Sequence, residues 1–162
     1  MPPTPNDDRF HRRPLRLQSL FTQLRPFYFV TFNTSKRAFV LNHPEVHHAF
    51  RVFCRRAHEQ HDVAVGRYVL MPDHAHLFVS YPRTGITLSQ WMQALKSVLG
   101  KELLRLGTQK PHWQEGFFDH VLRSAESYSE KWDHVRMNPV RAGLCKQPED
   151  WPCQGEIVSI EY

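Results

Sequence analysis

Cysteine is scarce and poorly placed for a framework. Cys54, Cys145 and Cys153 are odd in number and contain no CxxC pair, which argues against both a disulfide scaffold and a structural zinc knuckle. Long apolar runs are also missing: no stretch approaches the ~20 residues that cross a bilayer. The first residues have no apolar core of the kind a secretory signal carries. These absences predict a protein of the reducing cytoplasm with no membrane partner. No internal repeat is visible.

What is present fits one domain with tails. The 162 residues suffice for a real core, and 41% hydrophobic with 23% charged residues is ordinary for a globular chain. A net charge of +5 and a pI near 9.3 tilt toward a polyanionic partner. Residues 1–25 hold Pro2, Pro3, Pro5 and Pro14 with Arg9, Arg12, Arg13 and Arg16, and too little apolar periodicity to pack. They read as a basic, mobile arm. Residues 26–145 read as the functional domain and 146–162 as a tail packing on it.

Within the domain, Phe27 to Phe32 is an aromatic, β-branched run that predicts a buried first strand. Asn42, Pro44 and Glu45 mark a helix start, followed by Val46, Ala49, Phe50, Phe53 and Ala57 at helical spacing. Val63–Met71 and His74–Tyr81 predict an antiparallel hairpin turning at Pro72 and Asp73. Leu88, Trp91, Leu95, Val98 and Leu99 predict a second amphipathic helix, and Trp113 to Leu122 a fourth strand. Ser127 and Glu130 have capping-box spacing for a third helix, which Pro139 should end near Asn138. The order β-α-β-β-α-β-α predicts an α+β, ferredoxin-like fold. That fold is a split βαβ with a four-stranded antiparallel sheet, helices on one face and an additional C-terminal helix.

The chemistry centres on Asp73-His74-Ala75-His76. In a strand, alternate side chains share a face, so His74 and His76 converge and can grip one divalent ion. A solvated strand with two incidental histidines is the plain alternative in a chain with 11 histidines. On the last helix Tyr128, Trp132 and Val135 form an apolar stripe, whereas Glu130, His134 and Asn138 lie along a polar face away from it. That face is either simply exposed or looks across at the two histidines.

Three separated blocks carry a resemblance: Tyr68-Val-Leu-Met-Pro-Asp-His-Ala-His-Leu-Phe-Val79, Trp113-Gln-Glu-Gly-Phe-Phe-Asp-His-Val-Leu-Arg123 and Asn138-Pro-Val-Arg-Ala-Gly-Leu144. Together they resemble the single-tyrosine HUH transposases of bacteria, and within these the REP-associated tyrosine transposases. The resemblance implies a protein of the bacterial nucleoid, monomer or homodimer. Such a protein binds single-stranded DNA with hairpins of REP-like repeats and performs metal-dependent strand cleavage and transfer. It also implies that His74, His76 and Asn138 hold Mg²⁺ or Mn²⁺, which offsets charge developing at the scissile phosphate. A tyrosine one helical turn before the third ligand attacks phosphorus in that family.

This chain has His134 at the nucleophile position. Three readings stay open: a replacement that disables cleavage but not binding, an extra metal ligand, or a covalent nucleophile in its own right. Tyr128, six residues upstream of His134, falls ~120° away around a helix and is a poor substitute. Arg12, Arg13, Arg51, Arg55, Lys96, Lys101, Arg136 and Arg141 are candidate phosphate partners or solvated charges. Trp113, Phe117 and Phe118 are candidates for stacking on unpaired bases or for the core; His112 and His120 read as ordinary polar positions, with the alternative for His120, which lies in one of the three blocks, that it approaches the site. Two rivals accompany the transposase reading. One is a hairpin-binding protein that does not cleave. The other is a hydrolase in which His74, His76 and His134 hold Zn²⁺.

Overall fold

The computed structural model describes residues 25–82 and 85–160. Most of the basic arm, including Arg12 and Arg13, lies outside the described residues. Arg25 is within them and forms an ion pair with Asp62 at 2.7 Å.

The strands are β1 (Phe27–Asn33), β2 (Ala64–Leu70), β3 (His74–Ser80), β4 (Phe118–Leu122) and β5 (Gln154–Glu156). They form one sheet in the order β4-β1-β3-β2-β5, antiparallel at every junction. Helices α1 (Pro44–His61) and α2 (Leu88–Arg105) make the two crossovers. The first four strands and these helices therefore have the split βαβ order that the sequence predicts. The sheet has five strands rather than four, because β5 pairs with β2. Two buried residues just before it, Trp151 and Cys153, hold the segment in place. Trp151 Nε1 donates to the Leu70 carbonyl at 2.9 Å, and the Cys153 carbonyl accepts from the Leu70 N–H at 2.8 Å.

Helices α1 and α2 cover one face. Phe50 of α1 packs on the Tyr68 ring at 4.7 Å, and Phe53 meets Trp91 of α2 at 5.8 Å. The opposite face receives α3 (Ala125–Arg136). Its Tyr128 sits against Phe27 of β1 at 5.0 Å and Phe78 of β3 at 4.8 Å. The Arg67 guanidinium lies over both the Tyr128 and Trp132 rings, at 5.4 and 5.6 Å. Each such contact contributes roughly 0.5–1 kcal/mol beyond the area it buries. Docking of α3 on this face is what brings the last helix to the histidines of β3. Among the described residues no helix is long and apolar enough to cross a membrane.

Element boundaries differ from expectation for local reasons. The α1 cap is His43, whose ring accepts from the Glu45 N–H, rather than Asn42. Helix α2 starts at a Thr87–Gln90 capping box. Strand β4 begins only at Phe118. Gly116, at φ 71°, turns the chain, and Trp113 makes an isolated bridge to Thr34 instead. The α3 cap is Ser124, which accepts from the Ser127 N–H at 3.0 Å, so Ser127 lies inside the helix. The helix ends at Arg136, two residues before Asn138 and so close to the expected end, and Asn138 opens a separate short helix, α4 (Asn138–Arg141). Pro139 explains the break, since it has no N–H to give the Val135 carbonyl and its ring crowds the preceding turn.

Candidate metal and nucleic-acid site

His74 and His76 project from β3 toward the α3 side, with ring centroids 4.8 Å apart at an interplanar angle of 80°. Each is fixed through Nδ1. His74 Nδ1 donates to the Asp73 carboxylate at 2.7 Å. Arg37 Nη2 also stands 3.3 Å from this nitrogen, but two donors meet there, so the shorter contact to the carboxylate decides the tautomer. Burial acts to raise the Asp73 pKa, yet the His74 hydrogen bond and the charges of His74 and Arg37 outweigh it and hold the carboxyl below its ordinary value. His76 Nδ1 shares a hydrogen bond of 2.8 Å with the Thr31 hydroxyl, and its ring stacks on Phe29 at 5.3 Å. The carboxylate on its Nδ1 leaves the His74 Nε2 lone pair for an ion, and His76 offers its own Nε2 lone pair in the tautomer whose Nδ1 donates to Thr31. This donor set fits a divalent cation at two positions.

Burial, reinforced by the charges of His74, His134, Lys131 and Arg37, pulls the His76 pKa from 6.5 to about 3. Neutral imidazole is the form that binds metal. The same shift predicts a pH dependence of the metal-free protein. Between pH 6.5 and about 3 the unfolded chain takes up a proton at this histidine and the native protein does not. The contribution of His76 is thus complete above pH 6.5 and is lost as the pH falls toward 3, a loss on the order of a few kcal/mol. Urea denaturation in EDTA should show stability falling through that window, with a shallower fall in His76→Gln.

Three predicted residues of the last helix separate at the proline break. Glu130 and His134 remain on α3 and line one small cleft with Ser127, Lys131, His120 and Leu122. His134 is exposed and close enough to His76 for its charge to act on that ring. Asn138 belongs to α4, and its side-chain carbonyl accepts from Arg141, which also donates to the His134 carbonyl at 2.6 Å. Among the described residues no three His, Cys, Asp or Glu side chains are grouped closely enough to hold one ion. The zinc trio of His74, His76 and His134 is therefore not assembled. Tyr128 is buried at 6% exposure, in the core rather than the site.

The candidate phosphate partners are scattered. Arg51, Arg55 and Lys101 are exposed on α1 and α2, the helices of the opposite face. The Lys96 ammonium donates to the carbonyls of Gln114, at 3.2 Å, and Gly116, and so pins the loop before β4. Arg136 pairs with Asp133 at 3.4 Å and Glu149 at 3.3 Å, and Arg141 bridges the helix break. The cations that do stand beside the histidines, Arg37 and Lys131, are not among those candidates. The signal for Lys131 is its place immediately before Trp132 of the apolar stripe and three residues before His134 of the polar face. Arg37 gave none, because it reaches Asp73 at 2.8 Å from a left-handed backbone conformation (φ 56°).

The sequence profile of the family described as "Transposase IS200 like" matches residues 25–136. The REP-associated tyrosine transposase of Escherichia coli (strain K12) is 28% identical over 88 residues, 54% of this chain and 51% of that protein. The putative REP-associated tyrosine transposase of Haemophilus influenzae is 24% identical over 113 residues, 64% of each chain. The chain thus matches about half to two thirds of the length of these curated relatives. Among solved structures, a REP-associated tyrosine transposase bound to a REP hairpin superposes with a TM-score of 0.65 at 24% identity, covering 80% of this chain and 75% of the other. A putative transposase of Deinococcus radiodurans gives 0.51 at 17% identity, covering 68% and 88%. These structural likenesses concern the fold. The profile, spanning residues 25–136 and both histidines of β3, settles the lineage: the chain belongs to the IS200-like transposase family.

Proposed function

We propose that this protein binds single-stranded DNA folded into a hairpin on the histidine face of its sheet, with Mg²⁺ or Mn²⁺ held by His74 and His76. Asn138 is the third ligand in this reading once Arg141 releases its side chain. The bound ion would supply charge neutralisation at the phosphate. The chain's own residues do the rest. Asp73 and Thr31 orient the imidazoles, while Arg37 and Lys131 add positive charge beside them. The carrying observation is the pair of imidazoles locked through Nδ1 on the face that α3 covers.

His134 favours binding without phosphotyrosine chemistry. It stands exposed beside His76, where an attacking hydroxyl would be needed, and imidazole offers no such oxygen. A REP-type hairpin is the natural ligand to try, because it is the DNA in the structural relative. Fluorescence anisotropy with a labelled hairpin, its unpaired scramble and a blunt duplex tests the reading. The hairpin should bind at least ~10-fold more tightly than either control, with weaker binding as salt rises. Equal affinity for all three would contradict it.

A further inference from the structure

The antiparallel registers place His76, Thr31 and Phe118 in one row across β3, β1 and β4. Directly paired residues share a face, so Phe118 lies on the histidine side of the sheet, roughly two strand spacings (~10 Å) from His76. It is 65% exposed, the most exposed aromatic of its segment. The other two candidates for stacking are occupied. Trp113 donates its Nε1 to the Lys96 carbonyl at 3.0 Å and packs on Phe32, and Phe117 packs against the core. The next row along the sheet is Phe78, Phe29 and His120. His120 opens onto the cleft of about 300 Å³ between β4 and α3, where Lys131, Glu130 and His134 supply donors and acceptors.

An exposed phenyl ring beside a small polar cleft, on the face that carries the metal-binding imidazoles, suits a ligand that is flat, aromatic and hydrogen-bonding at its edge. A nucleobase is such a ligand, and Lys131 offers charge to the phosphate attached to it. We infer that Phe118 is a stacking platform for an unpaired base flanking the hairpin, with the β4–α3 cleft as its edge-reading pocket. This rests on the hairpin-binding reading above, and it adds a position that reads the flank rather than the stem.

The test uses a hairpin carrying 2-aminopurine in its single-stranded flank, placed on either side in turn, and the same hairpin without a flank. With the full chain, 2-aminopurine emission should fall on binding, and the flank should raise affinity roughly five- to tenfold. Phe118→Ala should abolish both effects and leave affinity for the unflanked hairpin as it was, while Phe118→Trp should retain them. A parent that binds the unflanked hairpin but ignores the flank overturns this inference alone; a parent that binds neither overturns the hairpin reading too. Sedimentation showing a dimer that Phe118→Ala dissociates would also overturn it, by assigning the ring to a β4-edge contact between copies.

Discussion

His134→Tyr is expected to create a covalent protein–DNA band. Incubated with a single-stranded hairpin and Mn²⁺ and run on a denaturing gel, the variant should give a covalent adduct band where the parent gives none. The tyrosine oxygen would bond to phosphorus as the bond to the 3′ oxygen breaks, giving a 5′-phosphotyrosine and a free 3′ hydroxyl. The location supports it: His134 is exposed on α3 and near His76. Tyr128 does not substitute, because it is wedged between Phe27 and Phe78 and burial raises its pKa. A variant that gains nothing, alongside a parent that cleaves, would refute the idea that the histidine disables the site.

The second large effect concerns the ion. His74→Ala/His76→Ala should weaken Mn²⁺ binding at least ~100-fold in a titration, since loss of an outer partner alone typically costs 10–100-fold. The fold should survive, because the buried core around Ala75, Leu77 and Phe78 keeps its own contacts when the His76 ring stacked on Phe29 is removed. Asp73 and Thr31, which hold the rings, come from the turn before β3 and from β1, and Arg37, which holds Asp73, comes from the 3-10 turn (Ser35–Arg37) after β1. The site is therefore assembled by sheet register as much as by its own two histidines.

That register explains what could be read in advance. The periodicities of Phe27–Phe32, Val46–Ala57 and Leu88–Leu99 identify their elements because one face of each is buried, and the succession of elements then leaves few topologies. The pairing of His74 with His76 follows from strand alternation alone. What sequence could not carry was contact between distant segments. Thr31 meets His76 from 45 positions away, and Phe118 joins that row only through β1. The three-residue β5 had too short a pattern to announce itself, since its anchor is burial of Trp151 and Cys153. From spacing Asn138 reads as the end of a continuous polar face, but Pro139 breaks the helix first and hands Asn138 to Arg141. The basic residues mislead for a related reason: charge along a sequence does not say which face of the sheet it reaches, and Lys96, Arg136 and Arg141 are committed to intramolecular partners.

Pulsed electron paramagnetic resonance of Mn²⁺ bound to the full chain tests the account most directly. Nitrogen couplings from imidazole that disappear in His74→Ala/His76→Ala are the result predicted. A spectrum with no imidazole nitrogen, or one unchanged in that variant, would contradict the account.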